Sequence, residues 1–176
     1  MPAPTLDDLK KQLNRSLTDT SDDGELTIHL GAAIEAVEGK VGPLTVREFT
    51  EQHRPAGRWI ALDQRPVVSV TSVTASDGGQ VQLEDDAVDK AAATVKLPIA
   101  GGGRPYTVVY QAGSATPLTS YVLAALIIGQ HLWNAQHGGG GRVMPGDEPV
   151  MVPGIAFAIP MRAAELLSGD LLPGFA

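Results

Sequence analysis

The spacing of hydrophobic residues changes twice along this chain, and that change most restricts the folds open to it. Near the N-terminus, intervals of four and three residues give one apolar face of a helix, formed by Leu26, Leu30, Ile34, Val37 and Val41. Between residues 46 and 110 the hydrophobic residues are largely β-branched or aromatic and lie in short runs between turn signals, which is typical of strands. Helical spacing returns after Pro117. The sequence therefore predicts helices on both sides of a β insertion.

Three helices are predicted, over residues 5–14, 22–41 and 117–137. We expect Thr5 to cap the first helix, and Gly42-Pro43 to end the second. Pro117 fits the first helical position of the third helix, and the glycines at 138–141 end it. This third helix has an apolar side whose small residues permit close packing against the second helix, and its members are Leu118, Val122, Ala125, Leu126, Gly129 and Trp133.

The β insertion, about residues 46–110, is predicted to be mainly antiparallel. Its expected strands are 46–52, 59–62, 67–74 and a returning strand at 81–83, which follows the turn signal at 76–79. Strands 94–99 and 106–110 are predicted to form a further hairpin, and the acidic segment 84–89 is predicted to be a loop. The fold class is therefore α+β: a small helical bundle with an inserted antiparallel β-sheet or hairpins, and an extended C-terminal arm.

The arm is predicted over residues 142–176, after a domain of residues 1–141, with a short helix at 161–167. Four prolines between residues 142 and 160 prevent a regular helix, yet this segment is too apolar for a solvated linker. We interpret the arm as a partner-binding segment; the alternative is that it folds back on its own domain. The side chains expected to bind a partner are Met151, Val152, Ile155, Phe157, Ile159, Leu166 and Leu167.

Composition limits what the chain binds. The net charge is -7, and the 13 basic residues are scattered, whereas a nucleic-acid groove needs clustered Lys and Arg. Tight sequence-specific DNA binding is therefore disfavoured. An acidic surface suits a wall past which DNA slides, and it also simply keeps a protein soluble; composition does not separate these alternatives.

No residue pattern predicts catalysis, a metal site or a cofactor. There is no Cys, the four histidines form no HxH or HExxH pattern, and no GxSxG occurs. The glycine runs at 101–103 and 138–141 lack phosphate-binding spacing, and the acidic cluster lacks the pattern of a calcium loop. The N-terminus lacks the pattern of a signal peptide, and residues 121–132 are too short and too interrupted to span a bilayer, so we expect no membrane association.

Five segments, taken in order, resemble the head–tail connector (adaptor) family of long-tailed bacteriophages. They extend over Thr5–Gly138, and they are Thr5–Lys10 (TLDDLK), Ala32–Glu38 (AAIEAVE), Arg65–Val73 (RPVVSVTSV), Val108–Gly113 (VVYQAG) and Leu132–Gly138 (LWNAQHG). The order and spacing of the segments carry the resemblance, since no single segment is diagnostic.

The resemblance implies a structural virion protein and not an enzyme. Residues 1–141 would be a connector domain in a homo-oligomeric ring between portal and tail, and the ring would match the twelve-fold portal of such phages. The portal and a downstream neck or tail protein would be the partners, and DNA would pass through without sequence-specific binding. The protein would lie at the head–tail interface of the virion, after assembly in the host cytoplasm.

The resemblance also gives the acidic cluster two alternative places in such a ring. Glu84, Asp85, Asp86 and Asp89 either face the DNA channel or form a solvent-facing outer loop. Two other identities remain for the whole chain. One is another neck or tail component, namely a head-completion or tail-terminator protein. The other is a small cellular enzyme or ligand-binding domain, which would need a pocket with convergent polar groups, and the sequence offers no candidate for one.

Overall fold

A computed structural model of the chain describes residues 2–137 and 159–168, and all structural statements below concern these residues. The described residues divide into two compact units. The helical unit comprises Ala3–Lys40 and the described residues from Leu118 onward, and the β unit comprises Val41–Pro117. Of the predicted arm, residues 159–168 are described. Met151, Val152, Ile155 and Phe157 lie outside the described residues.

The four described helices are α1 (Leu6–Gln12), α2 (Asp23–Val41), α3 (Thr119–His137) and α4 (Met161–Leu167). The predicted N-cap at Thr5 is confirmed: the Asp8 N–H donates to Thr5 Oγ1 at 3.3 Å, and the Thr5 N–H donates to Asp8 Oδ2 at 3.1 Å. These Thr5 hydrogen bonds also lower the pKa of the Asp8 carboxyl. The end of α2 is confirmed as well, since Gly42 has a φ of 85°.

The predicted start of the third helix is wrong by two residues. The Leu118 carbonyl accepts hydrogen bonds from the N–H groups of Tyr121 and Val122, so that α3 begins at Thr119 and Pro117 precedes it. Leu118 therefore lies before the first turn, and 59% of it is exposed, although the sequence assigned it to the apolar side. The rest of that side behaves as predicted, with Val122, Ala125, Gly129 and Trp133 buried.

The core of the helical unit contains Leu9, Leu26, Leu30 and Trp133. Gly129 permits close packing of α3 mainly against α1 and not, as predicted, against α2: a Cβ there would lie 3.2 Å from Leu9 Cδ1, whereas Ala33 Cβ of α2 would be 3.7 Å away. Lys10 is buried beside this core with 2% exposure. Its Nζ lies 2.5 Å from Asp23 Oδ1 and donates to the Asp19 carbonyl at 2.7 Å, which compensates for the buried charge.

Two three-stranded antiparallel sheets form the β unit. One has the order β1 (Arg47–His53), β6 (Tyr106–Ala112), β3 (Val67–Ala75), and the other has the order β2 (Trp59–Ala61), β5 (Thr94–Lys96), β4 (Val88–Asp89). Alternate residues of β6 are buried, as expected for a central strand with one face on the core. Both sheets contribute to that core, whose buried members are Ile60, Leu62, Val67, Val73, Ala93, Val95, Leu97, Tyr106, Val108, Tyr110 and Ala112.

Three predictions for the β insertion are wrong. The returning strand at 81–83 does not form as predicted: its pairing with β3 is limited to a bridge between Thr74 and Gln80 and a hydrogen bond from the Val81 N–H to the Val73 carbonyl at 2.8 Å. The acidic segment is not wholly a loop, since Val88–Asp89 pairs with β5. The predicted hairpin of 94–99 with 106–110 does not form: β5 pairs with β2 and β4, whereas β6 pairs with β1 and β3.

Candidate interaction surfaces

The acidic residues singled out from the sequence lie beside β4, at one edge of the second sheet. Glu84, Asp85, Asp86 and Asp89 are all exposed. Asp89 has a local structural role, because its Oδ1 accepts hydrogen bonds from the N–H groups of Ala91 at 3.0 Å and Ala92 at 2.9 Å. The other three carboxylates, here named the acidic loop, form no ion pair with any residue of the described ranges. They are available to a partner.

The opposite edge of the same sheet carries an exposed tryptophan. In the order β2-β5-β4, Trp59 lies on the outer strand β2 and is 57% exposed, whereas the neighbouring Ile60 is 1% exposed and faces the core. Trp59 is paired across the ladder with Lys96 of β5, so both side chains project from the same face of the sheet. A large aromatic side chain and a cation are thus presented together.

Backbone hydrogen bonds bring further cations to this edge. The Leu97 N–H donates to the Arg58 carbonyl at 2.6 Å, Gly101 to Gly57 at 2.7 Å and Gly103 to Pro55 at 2.9 Å. Arg58 is additionally held by its Nε–H, which donates to the Leu97 carbonyl at 3.0 Å. The resulting surface, here named the basic edge, consists of Arg54, Arg58, Trp59, Lys96, Ile99 and Arg104.

The four cations of the basic edge form no ion pair within the part of the chain that the structure describes. Ile99, the second apolar member, is 68% exposed. Ile99 and Arg104 also line a groove of about 230 Å³, together with Ala75, Asp77 and Val81. Isolated exposed hydrophobic residues are ordinary, but an exposed Trp and Ile among unpaired cations form a surface suited to binding.

A polar network within the β unit connects β1 and β6 to the loop after β2. The Tyr110 hydroxyl donates to Glu51 Oε1 and accepts from the Gln64 N–H at 3.0 Å. Glu51 Oε2 lies 2.9 Å from His53 Nε2 and accepts from the Asp63 N–H at 3.2 Å. Burial, and then the hydrogen bond to Glu51, raise the pKa of the Tyr110 hydroxyl. Both carboxylate oxygens are occupied, so we assign this network a structural role.

Aromatic and charged groups also meet around Trp133 in the helical unit. The His137 ring stacks on the indole at 3.8 Å between centroids, and the Arg15 guanidinium carbon lies 4.9 Å from it. Glu25 Oε2 is 3.2 Å from His137 Nε2. No group of three or more His, Asp or Glu side chains suited to a metal ion is found among the described residues.

The described part of the arm packs within the helical unit. Helix α4 has the predicted bounds, lies against α3 and buries Ala163 completely. Two of the residues expected to bind a partner, Ile159 and Leu167, line a groove of about 300 Å³ together with Lys40, Ala164 and Ser168. Leu166 is half-buried, and Met161 is 79% exposed. Of the described residues predicted to bind a partner, Ile159 and Leu167 therefore line the same groove, whereas Leu166 does not line it.

The basic edge was not predicted from the sequence, although the sequence contains a signal for it. No acidic residue occurs between Gln52 and Leu62 or between Lys90 and Gln111, and all four cations come from these two segments. The scattered distribution of Lys and Arg along the chain hid this, because the segments are far apart in sequence and meet only through the backbone hydrogen bonds described above. None of the described helices is sufficiently long and apolar to cross a membrane.

Comparison with known structures shows that the fold is similar to that of chains in gene transfer agent (GTA) particles. A chain in the neck of an empty GTA particle, computed with C6 symmetry, is 20% identical with a TM-score of 0.66, over 94% of this chain and 87% of that one. A chain in the virion of a native GTA particle is 21% identical with a TM-score of 0.59, over 94% and 87%.

A chain in the neck of a native GTA particle, computed with C12 symmetry, is 20% identical with a TM-score of 0.56, over 94% of this chain and 92% of that one. At these identities the comparisons establish a shared α+β fold over nearly the whole chain. No protein-family model and no curated protein matches this sequence.

Proposed function

We propose that this chain is a structural virion protein, a head-to-tail adaptor that forms a ring between portal and tail. The observation that carries the proposal is the likeness in fold, over 94% of this chain, to chains in the necks of GTA particles. It is supported by the order of the five connector-like segments over Thr5–Gly138.

The proposal includes a homo-oligomeric ring. The GTA necks were computed with C6 and C12 symmetry, which supports a subunit that repeats around an axis. A ring subunit covers part of its surface with copies of itself, so exposed apolar side chains are expected where copies meet. Trp59 and Ile99 meet that expectation within the β unit. We propose a twelve-fold ring, in keeping with the portal of long-tailed phages.

The proposed partners are the portal protein and a downstream neck or tail protein. We propose that the arm residues reach one of them, which assigns partner binding to Met151, Val152, Ile155 and Phe157. Ile159 and Leu167, on the groove of the helical unit, would anchor the near end of that contact. The acidic residues 84–86 and 89 are exposed, which is compatible with either a channel-facing or an outward-facing loop. The proposed location is the head–tail interface of the virion.

The proposal is tested by measuring the solution mass of the protein and imaging it by negative stain, alone and with the portal protein of the same particle. A ring with a central hole, or a monomer that binds portal, is the expected result. The same measurements on a chain lacking residues 143–176 would show whether binding needs the arm. A monomer that ignores portal but binds a tail protein would instead indicate a tail-side component, and one that binds neither would contradict the proposal.

A further inference from the structure

We infer that neighbouring copies of this chain bind each other through the basic edge of one copy and the acidic loop of the next. This rests on the proposed function, since it specifies how the ring is held together. The occupant of the basic edge is therefore a second copy of the same chain. The surfaces involved are Arg54, Arg58, Trp59, Lys96, Ile99 and Arg104 on one copy and Glu84, Asp85 and Asp86 on the other.

The placement of the two surfaces suits a ring. A head-to-tail contact that closes into a ring requires two different, complementary patches on each subunit. The acidic loop precedes β4, whereas the basic edge lies around the start of β2 and the end of β5, with Arg54 and Arg104 at the neighbouring ends of β1 and β6. Each copy therefore presents two different surfaces of opposite charge, and no surface has to pair with itself.

Charge complementarity identifies the second copy as the occupant. Two chains that each carry a net charge of -7 repel one another unless the surfaces that meet are locally opposite in sign. The basic edge is such a region of positive charge, because its four cations form no ion pair within the described residues. The acidic loop offers three carboxylates that are equally unpaired there. Each charged surface thus finds its counterpart on the neighbouring subunit.

The basic edge also has the composition of an interface centre. Trp and Arg are the residues most enriched among those that dominate binding energy, and they act when neighbouring contacts exclude water from them. Here Trp59 and Ile99 are exposed apolar side chains flanked by Arg54, Arg58 and Arg104. Burial of Trp59 by a neighbouring copy would strengthen the surrounding ion pairs, because water is removed from them.

The main competing occupant of the basic edge is a phosphate backbone, since clustered cations beside an aromatic ring also bind single-stranded nucleic acid. We favour the second copy because every copy also carries the matching unpaired carboxylates in its acidic loop. The inferred contact also places Glu84, Asp85 and Asp86 between neighbouring subunits, and not facing the DNA channel or the outer surface of the ring. The experiment below separates these roles.

The test reverses each surface separately. Arg54→Glu with Arg104→Glu reverses the basic edge, and Glu84→Lys with Asp85→Lys reverses the acidic loop. All four side chains are exposed and make no hydrogen bond or ion pair within the described residues, so both variants are expected to fold. Glu35→Lys with Glu165→Lys is the matched control for the acidic reversal, because it makes the same charge change at exposed positions of the helical unit. Circular dichroism and thermal unfolding check the folding of every variant.

Ring formation is then measured by sedimentation and negative stain, alone and on the portal protein. We expect each reversed variant to require at least about tenfold more protein than the wild type for half-maximal assembly, whereas the control does not. An equimolar mixture of the two reversed variants should assemble like the wild type, because every contact in an alternating ring again joins opposite charges. Wild-type assembly should weaken as salt rises from about 0.05 M to about 0.5 M.

A cross-linking measurement supplies an independent readout. Because the chain has no cysteine, Ala56→Cys beside the basic edge and Asp86→Cys in the acidic loop introduce unique thiols. A chain that carries both substitutions should give a disulfide-linked ladder ending at the closed ring. Mixed single-cysteine chains should give predominantly the heterodimer. Random cross-linking, with equal amounts of the two homodimers, would contradict the inferred contact.

The outcomes distinguish the inference from the proposed function. Rings that form normally in both reversed variants, or a mixture that fails to recover, would overturn the inferred contact but leave the proposed neck role in place. Loss of DNA binding by Arg54→Glu with Arg104→Glu, with normal rings, would assign the basic edge to nucleic acid and also overturn the contact. A wild-type chain that forms no ring, even on the portal, would overturn both.

Discussion

At the scale of single residues, the Tyr110 hydroxyl offers a sharp test of how the β unit is held together. This hydroxyl donates to Glu51 and accepts from the Gln64 N–H, and the side chain is fully buried. Tyr110→Phe removes the hydroxyl partner of Glu51 Oε1 and of the Gln64 N–H. We expect a loss of about 1–3 kcal/mol in the free energy of unfolding, because groups that lose a buried hydrogen bond retain their desolvation cost. Urea unfolding of the full chain measures it.

Tyr106→Phe is the matched control for that substitution. Tyr106 lies on the same strand and is 5% exposed, but its hydroxyl has no hydrogen-bond partner within the described residues. The control should therefore change the unfolding free energy by less than about 0.5 kcal/mol. Equal losses in the two variants would show that the hydrogen bonds of Tyr110 to Glu51 and Gln64 add no stability beyond that of a tyrosine hydroxyl without such partners.

The raised pKa of Tyr110 predicts a dependence of stability on alkaline pH. The folded chain holds the phenolic proton more tightly than the unfolded chain, in which a tyrosine titrates near pH ~10. The stabilisation is thus fully present below pH ~10 and declines as the pH rises above it. Urea unfolding between pH ~9 and pH ~11 should show this decline, and the decline should be shallower in Tyr110→Phe. A wild-type slope no steeper than that of the variant would contradict the assignment.

Residue roles could be predicted where their partners are near in sequence. Thr5 was recognised as a cap because the group it binds, Asp8, is three residues away. Glu51 and Tyr110 are 59 residues apart, so no local sequence pattern indicated their hydrogen bond. The burial of Lys10 had a signal, since Lys10 follows Leu6 by four residues on the apolar side of α1, but its partner Asp23 belongs to another helix.

At the scale of elements, the packing of α3 depends on the absence of a side chain at Gly129. Gly129→Ala would place a Cβ 3.2 Å from Leu9 Cδ1, and Leu9 is fully buried. We expect the free energy of unfolding to fall by about 1 kcal/mol or more, because a crowded core has little room to adjust. Thermal and urea unfolding of the variant measure the change.

Gly31→Ala in α2 is the corresponding control, because no atom lies within 4 Å of the position that its Cβ would occupy. Here the gain in helix propensity is unopposed, and we expect stabilisation of about 0.5–1 kcal/mol. Opposite signs for the two alanine substitutions would confirm that the α3 contact is tight. Stabilisation by both would show that Leu9 can move aside.

Helices could be predicted more fully than sheet partners, and the reason is physical. The stripe of α2 and the bounds of α4 follow from intervals of three and four residues, which are local. The pairing of β5 with β2 joins Val95 to Ile60, and the pairing of β6 with β1 joins Tyr110 to Phe49. The prediction that strands adjacent in sequence pair with each other therefore gave a hairpin of 94–99 with 106–110 that does not form. The basic edge was overlooked for the same reason.

For the molecule as a whole, we predict that a substitution in the arm can impair assembly without impairing folding. Under the proposed function, we expect Phe157→Ala to weaken binding to the portal or to the downstream neck protein by about tenfold or more while the thermal unfolding midpoint stays unchanged, because an aromatic side chain can dominate the binding energy of an interface. Binding is measured with purified portal and with the downstream neck protein. Equal losses of binding and of stability would indicate that the arm folds back on its own domain.

Ala163→Asp is an instructive counterpart within the same region. Ala163 is fully buried in α4, so a charge there should reduce stability as well as assembly. Comparing the two variants separates a contact with a partner from packing within the helical unit. The comparison is more informative than deletion of residues 143–176, because that deletion also removes α4.

The chain order of the two units has a consequence for synthesis on the ribosome. The β unit is one continuous stretch, Val41–Pro117, whereas the helical unit is assembled from segments on both sides of it. Leu9, Leu26 and Leu30 emerge early, yet their partner Trp133 follows the end of α2 by about 90 residues, or roughly 5–20 s of translation. The β unit should therefore become resistant to protease during synthesis before the N-terminal helices do. Because those helices wait longest for their packing partner, they are the segment most in need of a chaperone.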